Sequence, residues 1–227
     1  MYIGGFQKFS LNEYPGKTAA IIFTAGCNFR CPYCFNPDLV IPKKYGPPID
    51  EAEIFDFLKR RQGLLEGVVV SGGEPTIHED LPRLLMKLKF LRYDIKLNTN
   101  GTNPKMLREL IYMNMVDYIT MDVKAPFCKY AMLAGREVNI DDIKQSIRLI
   151  MDSGIKYEFR TTLVKKLLHE RDVIRIQEQL QGAQKIIFQP FIPNKNIIDK
   201  SLLKKEGSSY SEEEILRFQN SYGLLAV

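Results

Sequence analysis

GVVVSGGEPTIHEDLPRLLMKLKFLRYDIKLN, residues 67–98, holds the unit from which the fold is read. Gly67–Ser71 is a short β-branched run of buried-strand type, a helical pattern follows near Leu81–Leu91, and Asp94–Asn98 returns to strand. The same alternation extends both ways. Upstream, Ala19–Thr24 reads as a strand and Asp50–Arg61 as a helix, with Asp50 as N-cap and Ile54, Phe55 and Leu58 on one face. Downstream come a helix over Pro104–Met113, with Pro104 in its first turn, and a strand over Tyr118–Asp122. After a longer loop, Ile143, Ile147, Ile150 and Met151 mark a helix that ends near Gly154. Tyr157–Leu163 is a strand, Glu170–Leu180 a helix and Lys185–Phe188 a strand. Ser211 and Glu214 have capping-box spacing and open a last helix.

Six strands alternating with helices imply a parallel α/β architecture. Six units are too few for the usual eight-unit barrel, and the pattern fits both an open barrel and a doubly wound sheet. The expected fold is α/β, a partial (β/α)6 TIM-like barrel of parallel strands with surrounding helices. One domain over residues 1–227 is expected, with its core at about 17–193 and a C-terminal loop and helix at 194–227. The polar stretch Asn194–Tyr210 reads as a tail-like loop. No internal repeat is visible.

Composition is that of a globular domain: 227 residues, 45% hydrophobic and 26% charged, enough for one sizeable core. Ala19–Phe23 is the longest apolar run, far short of the ~20 residues that span a bilayer. Met1–Leu11 has no apolar core of signal-peptide type, so a soluble cytoplasmic protein is expected. The net charge of +5 is spread over Lys43–Lys44, Lys87–Lys96, Lys165–Lys166 and Lys195–Lys205. These read as solvated surface lysines. Aromatic residues do not interleave with them in a nucleic-acid pattern, while an acidic partner surface is compatible.

Three of the four cysteines, Cys27, Cys31 and Cys34, are spaced C-x3-C-x2-C directly after the first strand. Such crowding suits metal binding or redox chemistry rather than a disulfide framework. Thiolates at short spacing let one loop wrap several irons of an iron–sulfur cluster, and three ligands leave the fourth iron open. Zinc completed by His78, His169 or Cys128 is the alternative, although no second ligand pair exists to build a structural zinc site. His78 and His169 otherwise fall at a turn and a helix start, and Cys128 reads as a free structural thiol.

Further polar groups cluster at strand ends. Ser71-Gly72-Gly73-Glu74-Pro75 closes the second strand, where glycine lets the backbone approach a ligand. Asn98-Thr99-Asn100-Gly101 ends the third and is also good turn sequence. In Thr120-Met-Asp122-Val-Lys124, period-two geometry sets Thr120, Asp122 and Lys124 on one face. α/β enzymes build their sites at such ends of parallel strands.

The cysteine segment, with Tyr33 before its last thiol, resembles the signature of the radical S-adenosylmethionine (AdoMet) superfamily, and Gly72-Gly73-Glu74 is similar to its GGE motif. The resemblance implies one 4Fe–4S cluster on Cys27, Cys31 and Cys34, with AdoMet chelating the open iron through its amino and carboxylate groups. It places the methionyl ammonium at Gly72–Glu74 and the adenine near Tyr33, a residue that reads equally as a loop aromatic packed on the core.

Ile3-Gly-Gly-Phe-Gln-Lys-Phe-Ser10, Tyr14-Pro-Gly-Lys17, Asn36-Pro37, Asp122-Val-Lys124-Ala-Pro126 and Gln189-Pro190 resemble activating proteins of anaerobic ribonucleoside-triphosphate reductase, a kind of glycyl-radical-enzyme activating enzyme. This likeness runs from Met1 to about Pro193. It implies that Lys124 pairs with the AdoMet carboxylate, and that Arg160 and Gln189 occupy later AdoMet-contacting positions. Arg160 also reads as a buried strand ion pair. A monovalent-cation site is implied at Asn98, Thr99, Asp122 and the Thr120 carbonyl, although Asn98 stands where relatives often carry Asp. Two further departures are Phe35, where relatives commonly have histidine, and Phe191-Ile192 after Pro190, where some carry one.

The implied activity is reductive cleavage of AdoMet and abstraction of a glycine Cα hydrogen on a glycyl radical enzyme, with electrons from a flavodoxin or ferredoxin type donor. Two other readings remain: a radical AdoMet enzyme acting on a small molecule or RNA base, similar to 7-carboxy-7-deazaguanine synthase, and a non-catalytic metal or electron-carrier module.

Overall fold

The computed structural model describes residues 1–193, 196–203 and 208–225. Seven strands form one sheet in chain order: β1 (Ile3–Tyr14), β2 (Lys17–Thr24), β3 (Gly67–Gly72), β4 (Asp94–Thr99), β5 (Tyr118–Asp122), β6 (Lys156–Leu163) and β7 (Ile186–Pro190). Strands β2 to β7 are parallel throughout. A doubly wound sheet reverses its strand order at a switch point; this one never reverses, so it is the partial barrel, and it is not closed.

The helices are α1 (Pro37–Val40), α2 (Glu51–Arg60), α3 (Leu81–Phe90), α4 (Pro104–Tyr112), α5 (Tyr130–Ala134), α6 (Ile140–Met151), α7 (Glu170–Gln179) and α8 (Glu212–Leu225). The expected caps are present. The Asp50 side chain accepts from Ala52 N at 2.9 Å, and Ser211 and Glu214 exchange both bonds of their capping box. Ala20, Ile22, Val68, Val70, Ile95, Leu97, Ile119 and Phe159 carry one sheet face into the helix-covered core, where Ile54, Leu58, Leu85 and Ile147 meet them. Among the described residues no helix is long and apolar enough to cross a membrane.

Three expectations need correction. The N-terminal twelve-residue β1, antiparallel to β2, reads in sequence as no element at all, because its ladder slips between Ile3 and Gly5, between Gln7 and Ser10 and between Ser10 and Tyr14. Those slips break the period-two pattern by which a strand is recognised. The stretch 194–210 is not simply a tail. Ile197, Leu202 and Tyr210 are buried, a 3-10 turn spans Lys200–Leu203, and Asp199 N donates to Pro32 O at 2.8 Å in the cysteine loop. Asn194, Lys195 and residues 204–207 of that stretch lie outside the described residues. Last, Lys96 is no surface lysine: it is 2% exposed, on the sheet face opposite the helices.

Candidate active site

That opposite face has two layers. In the lower one, Lys96, Tyr118, Thr120 and Glu158 lie side by side across β4, β5 and β6. Glu158 accepts from Tyr118 Oη at 2.8 Å and Thr120 Oγ1 at 3.0 Å, and pairs with Lys185 at 2.9 Å and Lys96 at 3.5 Å. The upper layer comprises Phe23, Ser71, Asn98, Asp122, Arg160, Thr162 and Gln189, with Asn98 in register with Thr120 at its base. They line a cavity of about 370 Å³ at the carboxyl ends of the strands. The loop after β2 adds Cys27, Cys31 and Cys34 to the same wall, with Phe29, Tyr33 and Phe35 beside them.

Short local contacts shape the cysteine loop. Arg30 Nη1 donates to the carbonyls of Cys27 (2.7 Å) and Phe29 (2.6 Å), and Cys34 N donates to Cys31 O at 3.0 Å. Burial pushes the Cys27 thiol up to about 12 and the Cys31 thiol up to about 11; the Glu74 carboxylate adds to the first, and Lys124 partly offsets the second. Cys34 is raised as well, again chiefly by burial. A metal bound by these thiols would take the place of their protons.

The two glycines of the Gly72-Gly73-Glu74 turn serve first to admit the chain itself. A Cβ on Gly73 would lie 1.9 Å from Gly26 O, and one on Gly72, at φ +116, would lie 2.4 Å from Thr24 N and O. The β3 end thus packs backbone to backbone on the residues that lead into Cys27. Glu74, 1% exposed, is a tie between strand ends. It accepts from Thr76 N (3.0 Å), Thr76 Oγ1 (2.6 Å), Thr99 Oγ1 (2.7 Å) and Asn100 N. Burial raises its pKa, and those four donors hold the rise back.

Asp122 joins Lys124 Nζ at 3.0 Å and Arg160 Nε at 2.8 Å, so the strand ion pair read for Arg160 is present and also faces the cavity. Burial alone would raise the Asp122 pKa, but the two cations carry it far below the usual carboxylate range. Asp122 in turn keeps Lys124 protonated despite burial. The triad leaves one net positive charge in the wall near Cys31 and Tyr33.

Most other expected oxygens are committed. The Thr99 hydroxyl donates to Glu74 and accepts from Gly101 N, and the Thr120 hydroxyl, though not the carbonyl expected at a cation, donates to Glu158. Asn98 Nδ2 reaches Ser71 Oγ at 3.1 Å, but Asn98 Oδ1 is buried without a partner, and so is the Tyr33 hydroxyl. His169 is exposed at the start of α7, His78 is half-buried beside Gly26, and Cys128 is an exposed free thiol; none of them lines the cavity. Among the described residues no three His, Cys, Asp or Glu side chains converge closely enough to hold a single metal ion. Three thiols spaced around a cavity wall suit the separate corners of a cluster better than one zinc. Donor type and two unpaired buried polar atoms fit an iron–sulfur cluster with a polar co-ligand.

Phe35 stacks on Phe191, with ring centroids 5.8 Å apart at 21°. Sequence reasoning missed Glu13, Phe23 and Val40 as lining residues. Phe23 was within reach of period-two counting along its strand. Glu13 was not, since it comes from the irregular β1.

Residues 21–176 match the Radical SAM superfamily, and the chain belongs to it as one of its enzymes. The family uses a 4Fe–4S cluster with AdoMet. A protein of Methanocaldococcus jannaschii that bears the provisional name glycyl-radical enzyme activating enzyme is 33% identical over 208 residues, which cover 89% of this chain and 84% of that one. GTP 3′,8-cyclase of Xanthomonas campestris is 27% identical over 71% of this chain but only 50% of the cyclase. Streptococcus suis SuiB bound to S-adenosylmethionine shares the fold, with TM-score 0.66 and 17% identity over 90% of this chain and 46% of SuiB.

Proposed function

We propose that the chain is a glycyl-radical-enzyme activating enzyme, with anaerobic ribonucleoside-triphosphate reductase as the favoured partner and a flavodoxin or ferredoxin type protein as electron donor. The observation that carries this reading is the cavity in which three cysteine thiols meet incompletely bonded polar groups, on a barrel left open between β1 and β7. Cys27, Cys31 and Cys34 hold the cluster and leave its fourth iron to AdoMet. When bound, the cluster and AdoMet together supply a 5′-deoxyadenosyl radical that takes a hydrogen atom from a glycine Cα.

The chain's own groups bind and orient. Lys124, fixed by Asp122, meets the AdoMet carboxylate. The backbone at Gly72–Gly73, set by the buried Glu74, faces the ammonium. Tyr33 offers its unpaired hydroxyl toward the adenine side, and Asn98 Oδ1 accepts from the ligand. Arg160 steadies Asp122, and Gln189 closes the wall on β7. Phe29, Phe35 and Phe191 keep water from the thiols.

The cavity's charge favours a protein loop over a nucleotide triphosphate. Its lining cations, Lys124 and Arg160, are both paired with Asp122, and Glu13 and Glu74 line it as well. A triphosphate needs free cations.

Anaerobic incubation of the reduced enzyme and AdoMet with candidate glycyl radical enzymes, read by electron paramagnetic resonance, tests the reading. A protein-bound glycyl doublet is expected. Deoxyadenosine without a doublet, across all partners, would replace this reading with that of a small-molecule or RNA-base enzyme.

A further inference from the structure

Lys96 is a buried cation that contributes nothing to the cavity wall, yet it makes a specific long-range contact. Its Nζ donates to the carbonyl of Glu13 at 2.7 Å, 83 residues away in sequence, on a strand not adjacent to its own. Glu13 sits in the bulge where the β1 ladder slips between Ser10 and Tyr14. A bulge takes a residue out of the ladder and re-aims its side chain, and here the Glu13 side chain lies in the cavity wall.

Two groups hold the bulge in shape. Ser10 Oγ accepts from Asn12 N and Glu13 N, both at 3.3 Å. Lys96 takes the carbonyl on the other side. The lysine is itself held by Glu158 at 3.5 Å and by the Tyr118 ring, whose centroid lies 5.3 Å from Nζ. Tyr118 also packs edge-on against Tyr14, the residue after Glu13. The lower layer therefore grips β1 at the point where the sheet has no hydrogen-bonded closure.

We propose that Lys96 is a positioning residue: it clamps the β1 bulge from beneath the cavity and so sets where Glu13 stands in the cavity wall. The charge is needed because the clamp reaches across the interior to a lone carbonyl, and a hydrogen bond from a charged donor holds that carbonyl more firmly than a neutral one. For its effect on substrate, the inference rests on the activating reading above; for its effect on β1, it does not.

Lys96→Met is the test. Glu158 keeps Lys185, Tyr118 and Thr120 as partners, so the substitution leaves no buried charge alone. Hydrogen–deuterium exchange at residues 10–14 should quicken by about tenfold, the equivalent of one charge-assisted hydrogen bond, and Ser10→Ala should quicken the same segment. Deoxyadenosine formation without partner should stay within about twofold of wild type, while the KM for the glycyl radical enzyme rises by about tenfold at similar kcat. Adding Lys96→Met to Glu13→Gln should cost nothing further, because both act through one side chain.

Unchanged exchange at residues 10–14 overturns the proposal, as does full additivity of the two substitutions. If the wild type makes deoxyadenosine but no partner gains a radical, the activating reading alone fails, and the exchange comparison still decides the role of Lys96.

Discussion

The two layers of the inner sheet face use the same strands and the same kinds of residue, but their bonding differs. Below, Glu158 has four partners and Lys96 three, and both are almost wholly buried. Around the cavity, Asn98 Oδ1 and, in the cysteine loop, the Tyr33 hydroxyl have no hydrogen-bond partner, and three thiols line the wall. Buried polar groups are normally all paired. The lower layer obeys that rule; the upper layer departs from it beside the three thiols, at the proposed site.

Substitutions should separate the layers by what they damage. Cys27→Ala, Cys31→Ala or Cys34→Ala should abolish deoxyadenosine formation and cluster binding, read by product chromatography and iron content, whereas Cys128→Ala should leave both intact. Glu158→Ala strands Lys96 without its counter-charge and should cost about 3–5 kcal/mol in urea unfolding. A loss near zero there would erase the distinction between the layers.

Glu74→Gln, which removes the charge that four donors serve, should cost about 1–3 kcal/mol by the same measurement. Asp122→Asn should cost less stability and mainly weaken AdoMet binding, by about tenfold in Kd measured by calorimetry. Its pH signature has a definite sign. The folded pKa of Asp122 lies below its unfolded value of about 3.9, so its contribution is present above that pH and is lost as pH falls toward the folded value. The stability gap between wild type and Asp122→Asn should be flat from neutral pH to about 5 and close only in stronger acid.

The smallest effect is expected at the sheet edge. Gln219 on α8 accepts from Phe188 N at 3.1 Å and donates to Ile186 O, standing in for a neighbouring strand beside β7. Gln219→Ala should cost about 1 kcal/mol and speed exchange of the Phe188 amide.

Regular elements were legible in sequence, and so were the cavity-lining residues that hang on them. The six parallel strands follow from β-branched runs, and Cys27, Gly72–Glu74, Asn98, Asp122, Arg160 and Gln189 fall at their ends or just beyond. What escaped depends on irregularity or on distant contacts. β1 was hidden because its slips defeat period-two counting, and Glu13 was hidden with it. Lys96 resembles its surface neighbours Lys87 and Lys89 until the partners for its charge, Glu158 and Glu13 O, are known. Glu74 was read as part of a ligand-binding motif; the four donors that make it a tie come from the Thr76 turn and the β4 end, positions that only the folded sheet brings together.

Anaerobic reconstitution followed by one turnover assay bears hardest on the idea that the polypeptide leaves one iron free. Protein loaded with about four irons and four sulfides, given AdoMet and a strong reductant, should release methionine and 5′-deoxyadenosine in equal amounts. A fully loaded cluster that yields neither product would mean that the open position does not exist.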